Sequence, residues 1–387
     1  MENSMVIMAM GYNRPKALKR LLQSLAKLKI EGQIPLLISI DAEGGDDVVD
    51  IASDFVWPYG EKEVLIHEKK LGLKEHFFFS GDITEKYGNV LFVEDDLVIS
   101  PESIKFVDQF ISKYKSDDRV AGASLYNPSY MEGLSLRFYK LEDGSDVFFF
   151  QQPYWGNVWI KEKWDLFKEW YETYEYHPEI LPQHVARWKK TSFKKVYIQY
   201  LIEKERYFVT PRISLATNCA DPGLHIQQHT SVFQTPYALK WDYFRLIDFD
   251  DSYAIYDAFF EIIPGVLKKL NPTLGYYDFT VDLYGRKSNH AKYILTTLPV
   301  KKSILTFSID YKPWELAVAD NLVGNGISLA DSIDVIWNKH WLKTQLARDV
   351  ANHYGLNLDS VWFLLKRVLS RKIRAIEVRI SRKFGGS

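Results

Sequence analysis

Up to about residue 125 the chain alternates short apolar runs with longer stretches in which apolar residues recur every three or four positions. The short runs are Met5 to Met10, Leu36 to Ile40, Glu63 to His67, Asn89 to Val93 and Val120 to Ser124. Such compact runs predict strands, most of them buried on both faces, in a parallel sheet covered by helices. The segments between them predict those helices. Pro15 to Leu28 carries Leu18, Leu21, Leu22, Leu25 and Leu28 on one stripe, followed by Asp46 to Phe55, Lys74 to Thr84 and Pro101 to Tyr114. Strand and helix in alternation bring the carboxyl end of each strand to one common edge. Ser100 and Pro101 read as the N-cap and first-turn pair of the fourth helix.

Beyond Asp146 the pattern is mixed, with an aromatic loop from Phe148 to Trp159, a helical stretch at Trp164 to Tyr174 and a strand at Tyr207 to Pro211. From about residue 235 the character shifts to strand-like runs, Tyr276 to Tyr284 and Ser303 to Ile309, with a glycine turn at Gly324 to Gly326. The expected organisation is an α/β wound-sheet domain over 1–234, a smaller accessory α+β domain over 235–343 that is a candidate for acceptor binding, and a helical tail over 344–387. Net charge is −1, yet residues 361–387 carry +7 and the remainder −8. Val361, Leu365, Leu369, Ile373, Ile376 and Ile380 recur at helical spacing there, so the tail reads as a basic amphipathic helix suited to an anionic membrane surface.

That balance argues against a nucleic-acid partner, which would need a broad basic face. The single cysteine, Cys219, leaves no disulfide and no thiolate cluster and fits a reducing compartment. The first fifteen residues have neither a basic leader nor a long apolar core, and no run elsewhere reaches about 18 apolar residues. The expectation is a cytoplasmic protein that touches the inner face of a bacterial membrane without crossing it.

Candidate chemistry concentrates where the strand Asn89 to Val93 ends in Glu94, Asp95 and Asp96. Three adjacent acids repel one another, and a strand end tolerates them when a cation or a set of donors neutralises the charge. Hard oxygen ligands of this kind suit Mg²⁺ or Mn²⁺. In an open α/β sheet, ligands bind beyond the carboxyl ends of the strands. Asp41 follows the second strand in the same topological position, and the turn Gly11, Tyr12, Asn13, Arg14, Pro15 follows the first.

The first strand through Asp41, the turn Lys70-Leu71-Gly72-Leu73-Lys74 and the segment Phe92 to Leu97 with Ser100-Pro101 resemble the GT-A glycosyltransferases. More narrowly, they resemble enzymes related to the N-acetylglucosaminyltransferase that initiates complex N-glycans and the family 2-like bacterial transferases. Pro153 to Trp159, and Pro211 to Leu215 with Asn218 and His225, continue the resemblance, which spans roughly residues 5–230. It implies a GT-A, Rossmann-like fold and a metal-dependent, inverting transfer of sugar from a nucleotide-sugar donor, with UDP as the nucleotide. The acceptor it implies is a glycan or lipid-linked saccharide, as in bacterial polysaccharide biosynthesis. Asp96 would bind the metal, joined by His225, while Asp95 faces the ribose, Glu94 the donor sugar and Asp41 the nucleobase. Met10, Tyr12, Asn13, Arg14 and Lys74 would complete the donor site, and Trp155, Gly156, Asn157 and Trp159 would wall the sugar.

Glycosyl transfer needs charge stabilisation on the departing diphosphate and a base for the acceptor hydroxyl. The family carries an Asp shortly before the Pro-x-Ile-Ser segment, and Tyr197 stands there in this chain. A phenol with a pKa near 10 is a poor base at neutral pH, which leaves Glu94, Asp221, His184 and Glu203 as alternatives. A nucleotide-sugar-binding protein without turnover is the competing reading. A nucleotidyltransferase would want a more glycine-rich phosphate loop than Gly11 to Pro15.

Overall fold

In the computed structural model, residues 5–134, 136–221, 230–288, 290–310 and 312–337 are described, with a few isolated positions beyond. The apolar runs become β1 (Met5–Gly11), β2 (Leu36–Ile40), β3 (Lys62–Ile66), β4 (Asn89–Glu94), β5 (Leu97–Ile99) and β6 (Val120–Ser124). β7 (Tyr130–Met131) and β8 (Leu136–Arg137) form a small hairpin. Then come β9 (Val147–Phe150), β10 (Asn157–Ile160), β11 (Tyr207–Pro211), β12 (Ala216–Asn218) and β13 (Ile255–Tyr256).

Nine of these make one mixed sheet in the order β13-β9-β11-β6-β10-β4-β1-β2-β3. β1 pairs in parallel with β2 and β4, and β2 with β3. β10 is inserted antiparallel between β4 and β6. The edge strand β3 is the polar one, half exposed and opening on Lys62 and Glu63, which discourages pairing with another chain.

Helices α1 (Pro15–Leu25), α2 (Asp46–Asp54), α3 (Gly72–Asp82), α4 (Thr84–Tyr87), α5 (Ser103–Tyr114), α6 (Lys161–Glu172), α7 (Gln183–Ala186) and α8 (Phe193–Glu203) accompany the sheet. The period-two alternation of β1 sorts them. Ile7 and Ala9 join Leu18, Leu21, Leu22, Val48, Phe106 and Phe110 from α1, α2 and α5. Val6 and Met8 join Trp164, Phe167, Phe193 and Tyr197 from α6 and α8, with Phe77 and Phe78 of α3 packed alongside. The sheet is therefore covered on both faces and open only at its ends.

Two local expectations are corrected. The aromatic stretch Phe148 to Trp159 is not a loop throughout, because its two ends lie in the interior strands β9 and β10. The fourth helix starts at Ser103, not Pro101, since the chain first makes β5 against β12. The Ser100 side chain instead donates to the Ala238 carbonyl and accepts from the Glu102 amide at 3.1 Å.

Residues after 235 first return to the large sheet through β13. They then build a second, four-stranded sheet from β14 (Phe279–Asp282), β15 (Tyr293–Thr296), β16 (Leu305–Ser308) and β17 (Gly326–Asp331), ordered β14-β15-β17-β16, with α9 (Pro264–Leu270) and α10 (Trp314–Ala319). Both strand runs read from the sequence lie in this sheet. The basic amphipathic tail lies outside the described residues. Among the described residues no helix is long and apolar enough to cross a membrane.

Candidate active site

Parallel pairing of β1, β2 and β4 brings Gly11, Ile40 and Glu94 to one edge, with Met10 directly opposite Glu94. The chain after β1 turns at Arg14, the residue that precedes α1. The Arg14 guanidinium crosses to the acidic cluster: Nη2 donates to Asp95 Oδ1, Nε to Asp95 Oδ2 at 3.1 Å and Nη1 to Asp96 Oδ2 at 3.1 Å. Asn218, at the end of β12, donates from Nδ2 to the other Asp96 oxygen at 3.2 Å. Arg20 of α1 pairs with Asp221, whose backbone oxygen faces Arg14 Nη1 at 3.4 Å. Burial pushes Asp95 up to about 6 although Arg14 opposes the shift, and it raises Asp96 as well. Glu94, without a guanidinium contact, is pushed up to about 8 by burial and by repulsion from Asp96 and Asp95.

As they stand, these side chains do not fit a divalent cation. Arg14 takes both oxygens of Asp95 and one of Asp96, and Asn218 takes the other. Among the described residues no three His, Cys, Asp or Glu side chains converge on a metal-sized space. His225, the expected second ligand, lies outside the described residues.

Asp41 comes to the same edge but serves the backbone. Its Oδ1 accepts from the amides of Ala42 (2.9 Å) and Leu71 (2.7 Å), and its Oδ2 from Gly72 (2.9 Å). It fixes the turn that starts α3, where Gly72 has φ +71°, a conformation that suits glycine. Lys70 reaches Tyr12 OH at 2.7 Å and Glu43 at 3.2 Å on the exposed rim, beside the exposed Asn13. Lys74 leaves that rim to donate to Tyr171 OH of α6 at 2.8 Å.

Next to Glu94 opens a cavity of about 1220 Å³. Glu94, Tyr126, Tyr154, Trp155 and Asn157 form part of its wall. Trp155 is set edge-on to Tyr126 (4.8 Å between centroids) and Phe233 (5.1 Å). Gly156 shapes the turn behind it at φ +73°, where an added Cβ would lie 2.8 Å from Leu125. Trp159 shares the Asn157 face of β10 but lies one rung deeper. It is buried in the core, donates to Ser80 Oγ at 3.1 Å and does not wall the cavity.

The candidate bases scatter. Tyr197 is fully buried between Trp159 and Phe167, its hydroxyl has no partner and burial drives its pKa well above the ordinary phenol value, which removes it as a base. Glu203, at the last position of α8, is held by Trp170 Nε1 (2.8 Å) and Gln199 Nε2 (2.7 Å) and does not line the cavity. Asp221 belongs to the arginine cluster. His184 Nδ1 accepts from Arg286 Nη2 at 2.7 Å, and burial with the Arg286 charge lowers it to about 4. The cavity wall also holds Glu132 and Lys194, which the sequence reading missed. Glu132 sits in a two-residue-strand hairpin too short to give any periodic signal, and only the adjacent Gly133 marks a turn there.

No family model and no curated protein matches the chain. Among solved structures, S. aureus TarS in complex with UDP-GlcNAc aligns at 15% identity over 59% of this chain and 61% of that one, with a TM-score of 0.38. Another TarS structure aligns over 55% of this chain at TM-score 0.35, and the chain spans 59% of its length. The mannosyltransferase PcManGT from Pyrobaculum calidifontis, in complex with GDP-Man and Mn²⁺, aligns at 6% identity over 54% of this chain and 57% of that one, with a TM-score of 0.34. At such distances the functional reading rests on the geometry of this chain's own site.

Proposed function

We propose that the protein is a glycosyltransferase that takes sugar from a nucleotide-sugar donor. The observation that carries this reading is the large aromatic-walled cavity beside Glu94, the residue that ends β4 at the edge shared with β1 and β2. Ligands of open α/β sheets bind at such an edge, and sugar rings stack on aromatic faces such as Trp155. The order of segments that resembles the GT-A enzymes points the same way, and with it UDP as the nucleotide and a glycan or lipid-linked saccharide as acceptor.

In this reading the donor sugar enters the cavity against Glu94 and Trp155, and its diphosphate lies over the Gly11-to-Arg14 turn. Glu94, whose carboxyl is driven toward the protonated form by burial and by the neighbouring acids, can both donate to and accept from sugar hydroxyls. The Mn²⁺ or Mg²⁺ expected at Asp96 meets carboxylates that already face Arg14 and Asn218, so no step of the reaction is assigned to it. Residues 235–343 are assigned an accessory role through Arg286, which reaches the backbone of the cavity residue Glu132, and the basic tail a membrane-surface role.

The neutralised acidic cluster and the buried Tyr197 also favour a second reading, a protein that binds a nucleotide sugar without turning it over. Calorimetric titration with a panel of nucleotide sugars, followed by an assay for released nucleoside diphosphate, separates the two. Binding and turnover that both weaken in Glu94→Gln support the transferase. Binding without release by any donor and acceptor supports the second reading, and no binding at all removes both.

A further inference from the structure

The proposed transfer lacks a base where the sequence places one, and the cavity wall supplies another candidate. Among the described residues only two carboxylates line the cavity, Glu94 and Glu132. We propose that Glu132 is the catalytic residue that deprotonates the acceptor hydroxyl, held in position by Tyr154, Lys194 and Arg286; this rests on the transferase reading above.

Two separate segments reach this side chain, and a third holds its backbone. Tyr154, from the loop before β10, donates its hydroxyl to Glu132 Oε2 at 3.2 Å. Lys194, at the second position of α8, lies 3.6 Å from the same oxygen, above the Tyr154 ring at 3.7 Å. Lys194 is also within electrostatic reach of Glu94, so the two cavity carboxylates share one cation. Arg286, which follows β14, donates to the Glu132 backbone oxygen at 3.3 Å and meets His184 of α7 at 2.7 Å. Beneath the turn, Gly133 has φ +82°, and an added Cβ would lie 3.0 Å from the His184 ring and 3.2 Å from Arg286 Nη2.

An ordinary surface ion pair has no need of this bracing. The Glu132 side chain nevertheless keeps 35% of its surface open toward the cavity side of the hairpin. A carboxylate that accepts from a phenol and pairs with an ammonium through one oxygen has the other oxygen available for an incoming hydroxyl. In the step assigned to it, the acceptor O–H proton passes to Glu132 and the acceptor oxygen bonds to the anomeric carbon. The bond from that carbon to the diphosphate oxygen breaks, and its electron pair leaves with the nucleoside diphosphate. Glu132 then returns the proton to solvent. Arg286 is a positioning residue, and it ties the second sheet to the chemistry of the first.

The test uses the full chain and follows nucleoside diphosphate release, with water as the acceptor where no sugar acceptor has been found. Glu132→Gln is expected to lower kcat by about 10²- to 10⁴-fold, to bind donor within about twofold of wild type and to lose the fall in rate toward acid pH. Arg286→Gln is expected to lower kcat less and to leave KM for the donor nearly unchanged. A Glu132→Gln protein with wild-type kcat and an unaltered pH profile overturns the proposal. Wild type that binds no nucleotide sugar removes the transferase reading itself, and this shows in the titration before any variant is made. If Glu132→Gln melts early, Glu132→Asp serves, because it keeps the carboxylate while shortening its reach. A rate unchanged from wild type in that variant is equally fatal to a positioned base.

Discussion

The two ends of the cavity are built in opposite ways. At the strand-end side, Glu94, Asp95 and Asp96 are consecutive, and the arginine that pairs with the last two comes from the turn after the neighbouring strand. At the far wall, Glu132 is isolated in sequence and is held by residues 22, 62 and 154 positions away. Parallel strand register alone brings the acids of the first arrangement and the turn that carries Arg14 to one edge. The second requires β10 to be inserted into the sheet, α7 and α8 to pack beside it, and the second sheet to dock. Chemistry gathered by one element is robust to loop variation, whereas chemistry gathered from four segments is free to change with whatever the acceptor demands.

The sharpest way to break this comparison is the paired loss of Glu132 and Tyr197. Glu132→Gln is expected to lower release of nucleoside diphosphate by about 10²- to 10⁴-fold, while Tyr197→Phe leaves kcat within about twofold. Equal losses would mean that the far wall is not where the base resides.

Removal of Arg14 tests the near end. Arg14→Met leaves two buried carboxylates without their cation and is expected to destabilise the fold by about 3–5 kcal/mol in chemical denaturation. The same variant frees carboxylate oxygens and is expected to bind Mn²⁺ at least about tenfold more tightly than wild type by electron paramagnetic resonance, a gain of about 1.4 kcal/mol. Wild-type uptake as tight as that of the variant would show that Arg14 does not hold the cation's place.

The packing beneath both ends is tested at Gly81. The Trp164 ring lies so close to the α3 backbone that a Cβ on Gly81 would sit 2.1 Å from it. Gly81→Ala is expected to cost about 3 kcal/mol, read as a lower midpoint with unchanged m-value. No loss would mean that α3 and α6 separate easily.

A pH effect of similar size or smaller belongs to the strand-end side. His76 is buried beneath Asp41, shares Ser39 Oγ with His67, and burial depresses it to about 4 from an ordinary 6.5. The folded state therefore disfavours the protonated ring. The contribution is fully present above pH 6.5 and is lost as pH falls toward 4, by up to about 3 kcal/mol. His76→Gln is expected to flatten that part of the stability profile, and an unchanged profile would assign the loss to other groups. The smallest effect is at Tyr197, whose partnerless hydroxyl makes Tyr197→Phe neutral or stabilising by about 1 kcal/mol.

Much of the first sheet was legible because each buried parallel strand is a continuous apolar run and each covering helix a clean stripe. The acidic cluster was legible for the same reason, since a polar cluster at the end of such a run has only the sheet edge to go to. Arg14 was placed in the donor site, but its pairing with Asp95 and Asp96 was not foreseen, because a guanidinium's partner depends on how far a flexible side chain reaches across strands. Trp159 and Trp155 look alike in sequence. Trp159 lies within β10 and is a core residue, whereas Trp155 lies in the loop before that strand and stays in the cavity wall.

What the sequence by itself determined is the alternation of strand and helix, the polarity of the edge strand and the position of three carboxylates at a strand terminus, all set by patterns local to one element. Tertiary structure alone decided that Tyr197 is core, that Asp41 holds a backbone turn, and that Glu132 meets Tyr154, Lys194 and Arg286 at one cavity. The physical reason is range. Burial periodicity is written within a few residues, whereas the environment of a polar side chain is fixed by whichever distant segments the packed chain brings within about 3 Å of it.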